Sequence, residues 1–269
     1  MSDQPAGPPV LRVATWNLLH GFDVRSGRVE LAAVTDGVAA LDLDVLAIQE
    51  IDREQDRSGG TDQLAALATK LGWNGVFSPS LLGEPVRDWD AAGAGPDPGG
   101  PAYGIGLLSP HPLSEVARLA LPGGARRRRI DHRAAPGRLL PRWDREPRTV
   151  LAARLNRADG SGLVVAATHL SFLAWRGFGQ LRRAVSWVAG RGGPAVLLGD
   201  LNLPHRALRP ALSGTGWATA GAAGRTYPAW RPRMQLDHVL VLGVQVRRPR
   251  VLPRGPSDHL AVSAEVLLP

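Results

Sequence analysis

Short apolar runs separated by polar turns recur along almost the whole chain and predict a succession of buried strands. Residues 10–16 and 44–50 are two such runs, and residues 29–41 between them space their apolar positions at helical intervals. The chain is therefore predicted to begin with a β–α–β unit. The nine residues before it are rich in proline and glycine and are predicted to be a flexible tail.

The rest of the chain continues to mix the two kinds of element. Helical spacing returns at residues 63–71 and 175–189, and a hairpin is predicted from the runs 149–155 and 163–170. Further strands are predicted at 75–78, 103–108, 113–121, 195–199, 235–242, 244–251 and 260–267. Because no linker or internal repeat divides this alternation, we expect one α/β domain over residues 10–269.

Two segments show neither periodicity and are predicted to be long loops, at about residues 79–102 and 122–147. The first contains a stretch of glycine and proline at 83–101 that is expected to exclude regular structure. The second is crowded with arginine. Loops of this length within a compact domain are typically functional or disordered.

Composition removes several classes of protein. The 269 residues include no cysteine, which excludes a disulfide scaffold, a thiolate zinc site, an iron–sulfur cluster and a cysteine nucleophile. No apolar run approaches the roughly 18 residues of a membrane-spanning helix, and the first ten residues lack the features of an export signal. We expect a cytoplasmic monomer with no membrane span.

The net charge of +8 comes almost entirely from arginine, since Lys70 is the single lysine. Residues 123–148 alone carry nine arginines, from Arg126 to Arg148, against three acidic residues. Clustered cations bind nucleic acid by displacing counterions from phosphates, although a GC-rich coding bias also produces arginine. Among the tryptophans, three stand in predicted loops near arginine and are candidate stacking surfaces for bases: Trp89, Trp143 and Trp230.

Polar side chains of the metal-ligand or phosphate-binding type follow five of the apolar strands, and a sixth cluster precedes the last strand. Each is unremarkable alone, because Gly-Asp-Leu-Asn is also an ordinary turn and a lone histidine usually packs. Together they form a set of oxygen and imidazole ligands without thiolate, which suits Mg²⁺ or Mn²⁺. The set comprises Asn17, Glu50, His169, Asp200, Asn202, Asp237, Asp258 and His259.

The segments that hold these residues occur in a recognisable order: RVATWNLLHG, DVLAIQEID, YGIGLLSPHPL, EPRTVLAARL, VVAATHLS, LLGDLNLP, QLDHVLV and SDHLAVSAEV. In that order the chain resembles the endonuclease/exonuclease/phosphatase superfamily from Leu11 to Val266. The resemblance implies a DNase I-like fold, a four-layered α-β-β-α sandwich of two packed mixed β-sheets. It also implies hydrolysis of a phosphoester with a Mg²⁺ or Mn²⁺ cofactor.

The resemblance assigns a role to each residue of the set. Glu50, Asn17 and Asp258 match the metal-binding positions, and Asp237 matches the acid that hydrogen-bonds an essential histidine, His259. The remaining matches are Asp200, which orients or deprotonates the attacking water; Asn202, which holds water and a phosphate oxygen; His169, which contacts phosphate or protonates the leaving group; and Arg148, which either reaches phosphate or is a solvated strand residue. The formal general base stays open.

The expected reaction is in-line attack of water on a phosphoester, with cationic groups offsetting charge on the phosphoryl oxygens. The arginine-rich segment favours a phosphodiesterase or nuclease. Two alternatives stay open: a phosphomonoesterase or phospholipase-type hydrolase of a small metabolite or lipid headgroup, and a non-catalytic phosphate-binding module. The intact set of eight residues argues against the last of these.

Overall fold

The computed structural model describes residues 9–85, 87–125, 127–128, 144–156, 162–253 and 255–268. Four helices lie between the strands: α1 Leu31–Ala39, α2 Gln63–Leu71, α3 Ala174–Ala189 and α4 His205–Leu212. The strands in chain order are β1 Val10–Asn17, β2 Phe22–Asp23, β3 Arg28–Val29, β4 Val45–Arg53, β5 Asn74–Gly83, β6 Trp89–Ala91, β7 Ala102–Ser109, β8 Leu113–Leu121, β9 Arg127–Arg128, β10 Arg148–Asn156, β11 Gly162–His169, β12 Ala195–Asp200, β13 Ala218–Thr219, β14 Asp237–Leu242, β15 Gln245–Val251 and β16 Val262–Leu267.

The strands form two large mixed sheets and one short ribbon. The first sheet has the order β15-β16-β1-β4-β7-β5-β6-β9, and the second has the order β13-β14-β12-β11-β10-β8. Strands β1 and β4 are parallel with α1 between them, which confirms the predicted β–α–β unit. The predicted hairpin is also present, as the antiparallel pair β10 and β11.

Three layers of apolar side chains show how the sheets and helices stack. Alternate residues of β1, such as Leu11 and Val13, pack between the two sheets, while Ala14 and Trp16 pack outward on the side of α1 and α2. The outer face of the second sheet packs against α3 and α4, for example through Leu181. Because the central strands bury both faces, the order is helices, sheet, sheet, helices, and the predicted sandwich is confirmed.

Residues 83–101 are rich in glycine and proline, and the prediction that they exclude regular structure is wrong in one respect. Strand β5 continues to Gly83, well past the predicted end at residue 78, and β6 then pairs with it antiparallel. The apolar side chain of Trp89 supplies the reason, since it is buried against Leu81 and Tyr103 and so gives a short strand something to pack on. Only the remainder of this segment is irregular.

Most of the predicted arginine-rich loop lies outside the described residues, including Trp143 and Arg126. Its described parts are the turn after β8, the two-residue strand β9, and the segment from Asp144 to the start of β10. The predicted strand at 235–242 begins two residues later, at Asp237. Among the described residues, no helix has the length and apolar character that crossing a membrane would require.

Candidate active site

Four of the predicted site residues lie on the inner faces of their strands, at one end of the sandwich. In β1, Asn17 shares its side with Leu11 and Val13, which pack between the sheets. The second sheet supplies a row of three residues paired across neighbouring strands, His169 opposite Asp200 and Asp200 opposite Asp237. The rigid strand ends therefore hold polar groups from both sheets around one space.

Glu50 reaches this space through a bulge in β4. Simple alternation would place it on the outer face with Leu46 and Ile48, which pack there. The pairing of β4 with β7 instead shifts between Gln49 and Ile51, and Glu50 has a φ of 55°, a left-handed conformation that is unusual for glutamate. The bulge turns the carboxylate inward, where Asn17 Nδ2 donates to its Oε1 at 2.9 Å.

The carboxylate of Asp200 lies at the centre of the cluster. Its Oδ1 accepts from the backbone N–H of Asn202 at 2.9 Å, and its Oδ2 accepts from Asn17 Nδ2 at 3.2 Å. The Nε2 atoms of His169 and His259 each lie 3.6 Å from the same Oδ2. Burial raises the pKa of Asp200, and the charge of Asp237 adds to that effect.

His259 is paired with Asp237 within the cluster. Its Nδ1–H donates to Asp237 Oδ2 at 2.9 Å, and its backbone N–H donates to the hydroxyl of Ser257 at 3.0 Å. Burial lowers the pKa of His259, but the carboxylates of Asp237 and Asp200 outweigh it and raise that pKa to about 10. The imidazolium form is therefore favoured, and its Nε2–H faces Asp200.

His169 has the opposite character. Burial, together with the positive charges of Arg148 and His259, holds its pKa well below the usual value, so the neutral ring is favoured. Asn202 Nδ2 lies 3.3 Å from His169 Nε2 and also donates to the carbonyl of Leu170 at 3.0 Å. Asn202 has a φ of 51°, and this strained turn is what aims its carboxamide back at the strand end.

The cluster carries more negative than positive charge. Four carboxylates, those of Glu50, Asp200, Asp237 and Asp258, surround the single imidazolium of His259. Burial raises the pKa of Glu50, and the charge of Asp258 raises it further, so these two carboxylates repel each other electrostatically. Within the described residues, the buried Oδ1 of Asp237 also lacks a hydrogen-bond partner. A divalent cation with oxygen ligands suits this excess.

Arg148 is buried, so the interpretation of this arginine as a solvated strand residue is wrong. Its side chain is 4% exposed, with Nη2 at 3.4 Å from Asp144 Oδ2 and Nη1 at 2.9 Å from Glu146 Oε1. Burial raises the pKa of Glu146 to about 7, and Tyr103 hydrogen-bonds its side chain. Two carboxylates thus offset the guanidinium charge beside His169 before any substrate enters.

Several residues that support the site gave little signal in the sequence. The hydroxyl of Ser257 donates to the Asn17 carbonyl at 2.7 Å, which connects the segment before the last strand to the end of the first strand. The Tyr227 ring lies 4.7 Å from the His259 ring at a tilt of 41°. Thr226 accepts at its hydroxyl from the backbone of Leu236 at 3.1 Å. Their positions beside matched motifs were the available clue, because nothing in their types specifies these partners.

The three candidate stacking tryptophans have different outcomes. Trp89 is 4% exposed and packs in the interior, so its proposed stacking role is wrong. Trp143 lies outside the described residues. Trp230 is 55% exposed, in the segment that precedes Asp237. His238, next to Asp237, points to the outer face, as alternation along β14 predicts, and there Leu203 O lies 2.9 Å from its Nε2.

Known proteins resemble this chain in sequence and in fold. A model of the endonuclease/exonuclease/phosphatase family matches residues 14–259. No curated protein sequence matches the chain.

Solved structures resemble the chain over nearly its whole length. An endonuclease/exonuclease/phosphatase from Beutenbergia cavernae DSM 12333 is 23% identical with a TM-score of 0.70, over 96% of this chain and 72% of that one. A mannosyl-6-phosphatase from Bacteroides thetaiotaomicron is 20% identical with a TM-score of 0.66, over 96% and 100%. The human Nocturnin catalytic domain, with bound sulfate, is 19% identical with a TM-score of 0.62, over 96% and 94%.

Proposed function

This chain belongs to the endonuclease/exonuclease/phosphatase family, and from that premise we propose that it is a divalent-metal-dependent phosphodiester hydrolase. Family members are phosphoester hydrolases that generally depend on a divalent metal ion. One observation carries the proposal for this chain: Asp200 Oδ2 lies 3.6 Å from the Nε2 atoms of both His169 and His259, one neutral and one cationic. A proton acceptor and a cationic donor at this separation suit attack by water on a phosphate.

Asp200 is proposed to orient the water and accept its proton. Its two hydrogen bonds, from Asn202 N–H and Asn17 Nδ2, fix the direction of the carboxylate. A pKa raised by burial makes this carboxylate a better base at neutral pH than an exposed aspartate. Asn202 has its carboxamide beside His169, where it is placed to hold a phosphate oxygen.

His259 is proposed to offset the charge that develops on the phosphoryl oxygens. Its hydrogen bond to Asp237 sets the ring orientation and keeps the ring cationic. His169, as a neutral imidazole, is proposed to contact phosphate or the leaving oxygen. Arg148 is paired with Asp144 and Glu146, and its charge helps to lower the pKa of His169 and so favours the neutral ring.

Glu50, Asn17 and Asp258 would hold the metal ion, Mg²⁺ or Mn²⁺. The donor set fits a hard cation, because Glu50 is 21% exposed and its carboxylate is uncompensated by any arginine or lysine within ion-pair distance in the described chain. When bound, such an ion supplies Lewis-acid stabilisation of the phosphoryl oxygens.

Nucleic acid is the favoured substrate class. The support is the arginine-rich segment, whose described end includes Arg148, a charge that lowers the pKa of His169 in the site. Phosphomonoesters, phospholipid headgroups and binding without catalysis are the competing possibilities. All four are separated by one panel of substrates, assayed with Mg²⁺ or Mn²⁺ and again with EDTA: single-stranded DNA, duplex DNA, RNA, a generic diester, a generic monoester and a phospholipid.

Three substitutions test the site itself. Asp200→Asn, His259→Gln and Glu50→Gln should each reduce the metal-dependent rate by at least about 100-fold, as the loss of a group acting in proton transfer or charge stabilisation does. Asp36→Asn, an exposed carboxylate on α1, is the matched control and should stay within about twofold of the parent. Wild-type rates in all three site variants would contradict the assignment.

A further inference from the structure

A short loop beside the site, Tyr227–Met234, carries exposed apolar and cationic side chains. In the described chain the exposed large hydrophobic residues number six, and two of them, Trp230 and Met234, lie in this loop. Two more, Phe172 and Trp175, follow His169. Exposed apolar groups that gather beside an active site mark a surface that contacts substrate.

The loop is held rigidly at its base and close to His259. Met234 N–H donates to the Tyr227 carbonyl at 3.1 Å, and Tyr227 N–H donates back to the Met234 carbonyl at 3.0 Å. Ala229 N–H donates to the Asp258 carbonyl at 2.6 Å. The Trp230 Cα therefore lies within about 8 Å of that carbonyl oxygen, because successive Cα atoms are about 3.8 Å apart.

Arginine residues lie on both sides of Trp230 in the sequence. Arg225, Arg231 and Arg233 are exposed, and within the described residues none of them forms an ion pair. No acidic residue lies between Arg225 and Met234. A flat indole flanked by unpaired guanidinium groups is the combination that binds single-stranded nucleic acid, with bases stacking on the ring and cations tracking the backbone.

We infer that the Tyr227–Met234 loop binds an unpaired nucleotide of single-stranded nucleic acid, with a base stacked on Trp230 and flanking phosphates at Arg231 and Arg233. This inference rests on the proposed function, because it places the nucleotide next to the phosphate at His259. A lipid surface is the competing partner. It is less favoured because Trp230 and Met234 are the only exposed large apolar side chains of this loop, a small apolar area for membrane insertion.

Binding is measured without turnover, by fluorescence anisotropy of a labelled oligothymidylate in EDTA. Replacing Trp230 by Leu keeps an apolar side chain but removes the ring, and should raise Kd by about 5- to 100-fold. Trp230→Phe keeps a stacking surface and should stay within about threefold. Arg231→Gln with Arg233→Gln should lower the slope of log Kd against log salt by about one to two, whereas Arg183→Gln, exposed on α3, should leave it unchanged.

Two outcomes overturn the inference. One is that Trp230→Leu binds the oligothymidylate like the parent. The other is that the parent does not bind the oligonucleotide; binding to anionic phosphatidylglycerol vesicles that Trp230→Leu abolishes would then identify a lipid surface as the partner instead. Failure of the proposed function looks different: Trp230-dependent oligonucleotide binding would persist while no phosphodiester is hydrolysed with either metal. Thermal melting of each variant verifies that it is folded.

Discussion

Two glycines in helix α3 provide a sharp test of how that helix supports the site. Gly177 is buried, and a Cβ built on it would lie 2.9 Å from the carbonyl oxygen of Ser171. Gly179, two residues along the same helix, is exposed and would meet nothing within 4 Å. Both have ordinary helical backbones, so Gly177→Ala and Gly179→Ala differ only in what the added methyl group touches.

The expected magnitudes follow from that geometry. Each substitution gains about 1 kcal/mol of helix propensity over glycine. In Gly177→Ala the Ser171 carbonyl is backbone and must move by about 0.5 Å to reach ordinary contact, and overpacking of this kind costs about 1–3 kcal/mol. The two variants should therefore differ by about 1–3 kcal/mol, which corresponds to about 2–12 °C in Tm for a chain of this size.

The displacement also reaches the active site. Ser171 follows His169 by two residues, its N–H donates to Gln180 of α3 at 2.9 Å, and the neighbouring Leu170 carbonyl accepts from Asn202. We expect the metal-dependent rate of Gly177→Ala to fall by about tenfold, since small misplacements of reacting groups are costly.

Scanning calorimetry and a steady-state assay on the same preparations provide the measurements. Gly179→Ala should melt slightly above the parent with an unchanged rate. Equal Tm and equal rates for the two variants would refute the close packing of α3 on the segment after His169.

The remaining predictions concern stability. Burial lowers the pKa of His238 to about 4 from an ordinary value near 6.5. Between these two pH values the unfolded chain binds a proton at His238 that the folded chain does not. The free energy of unfolding therefore falls as the pH falls through that range. Urea unfolding should show that the free energy of unfolding falls by about 2–3 kcal/mol less in His238→Gln than in the parent between pH 7 and pH 4.5. An identical fall in both proteins would contradict this prediction. Thr226→Val leaves the backbone N–H groups of Leu236 and Asp237 without their hydroxyl partner and should cost about 1–3 kcal/mol, while Thr226→Ser retains most of the stability in the same melting assay.

The charge distribution explains why the net charge of +8 says little about the site. The central groups are mostly carboxylates, and Arg148, which the sequence places in the basic segment, is neutralised by Asp144 and Glu146. Arg231 and Arg233 on the Tyr227–Met234 loop are exposed and form no ion pair in the described chain. Local placement, rather than the total, decides what a cation does near a phosphate.

Periodicity and motif order in the sequence alone determined the fold class and the membership of the polar set. A short apolar run is a local feature, so the strand carrying Asn17 and the strand ending at His169 were both predictable from their own residues. The Asp237–His238 pair shows the same logic, because neighbouring residues on a strand must face opposite sides.

Only the tertiary structure decided how these groups face one another. The inward turn of Glu50 depends on a bulge created by pairing with β7, a strand more than fifty residues away, and alternation by itself would have pointed it outward. Likewise, burial of Trp89 and exposure of Trp230 follow from which apolar neighbours each loop finds. Long-range packing sets such contacts, and the residue types of a short segment do not encode their partners.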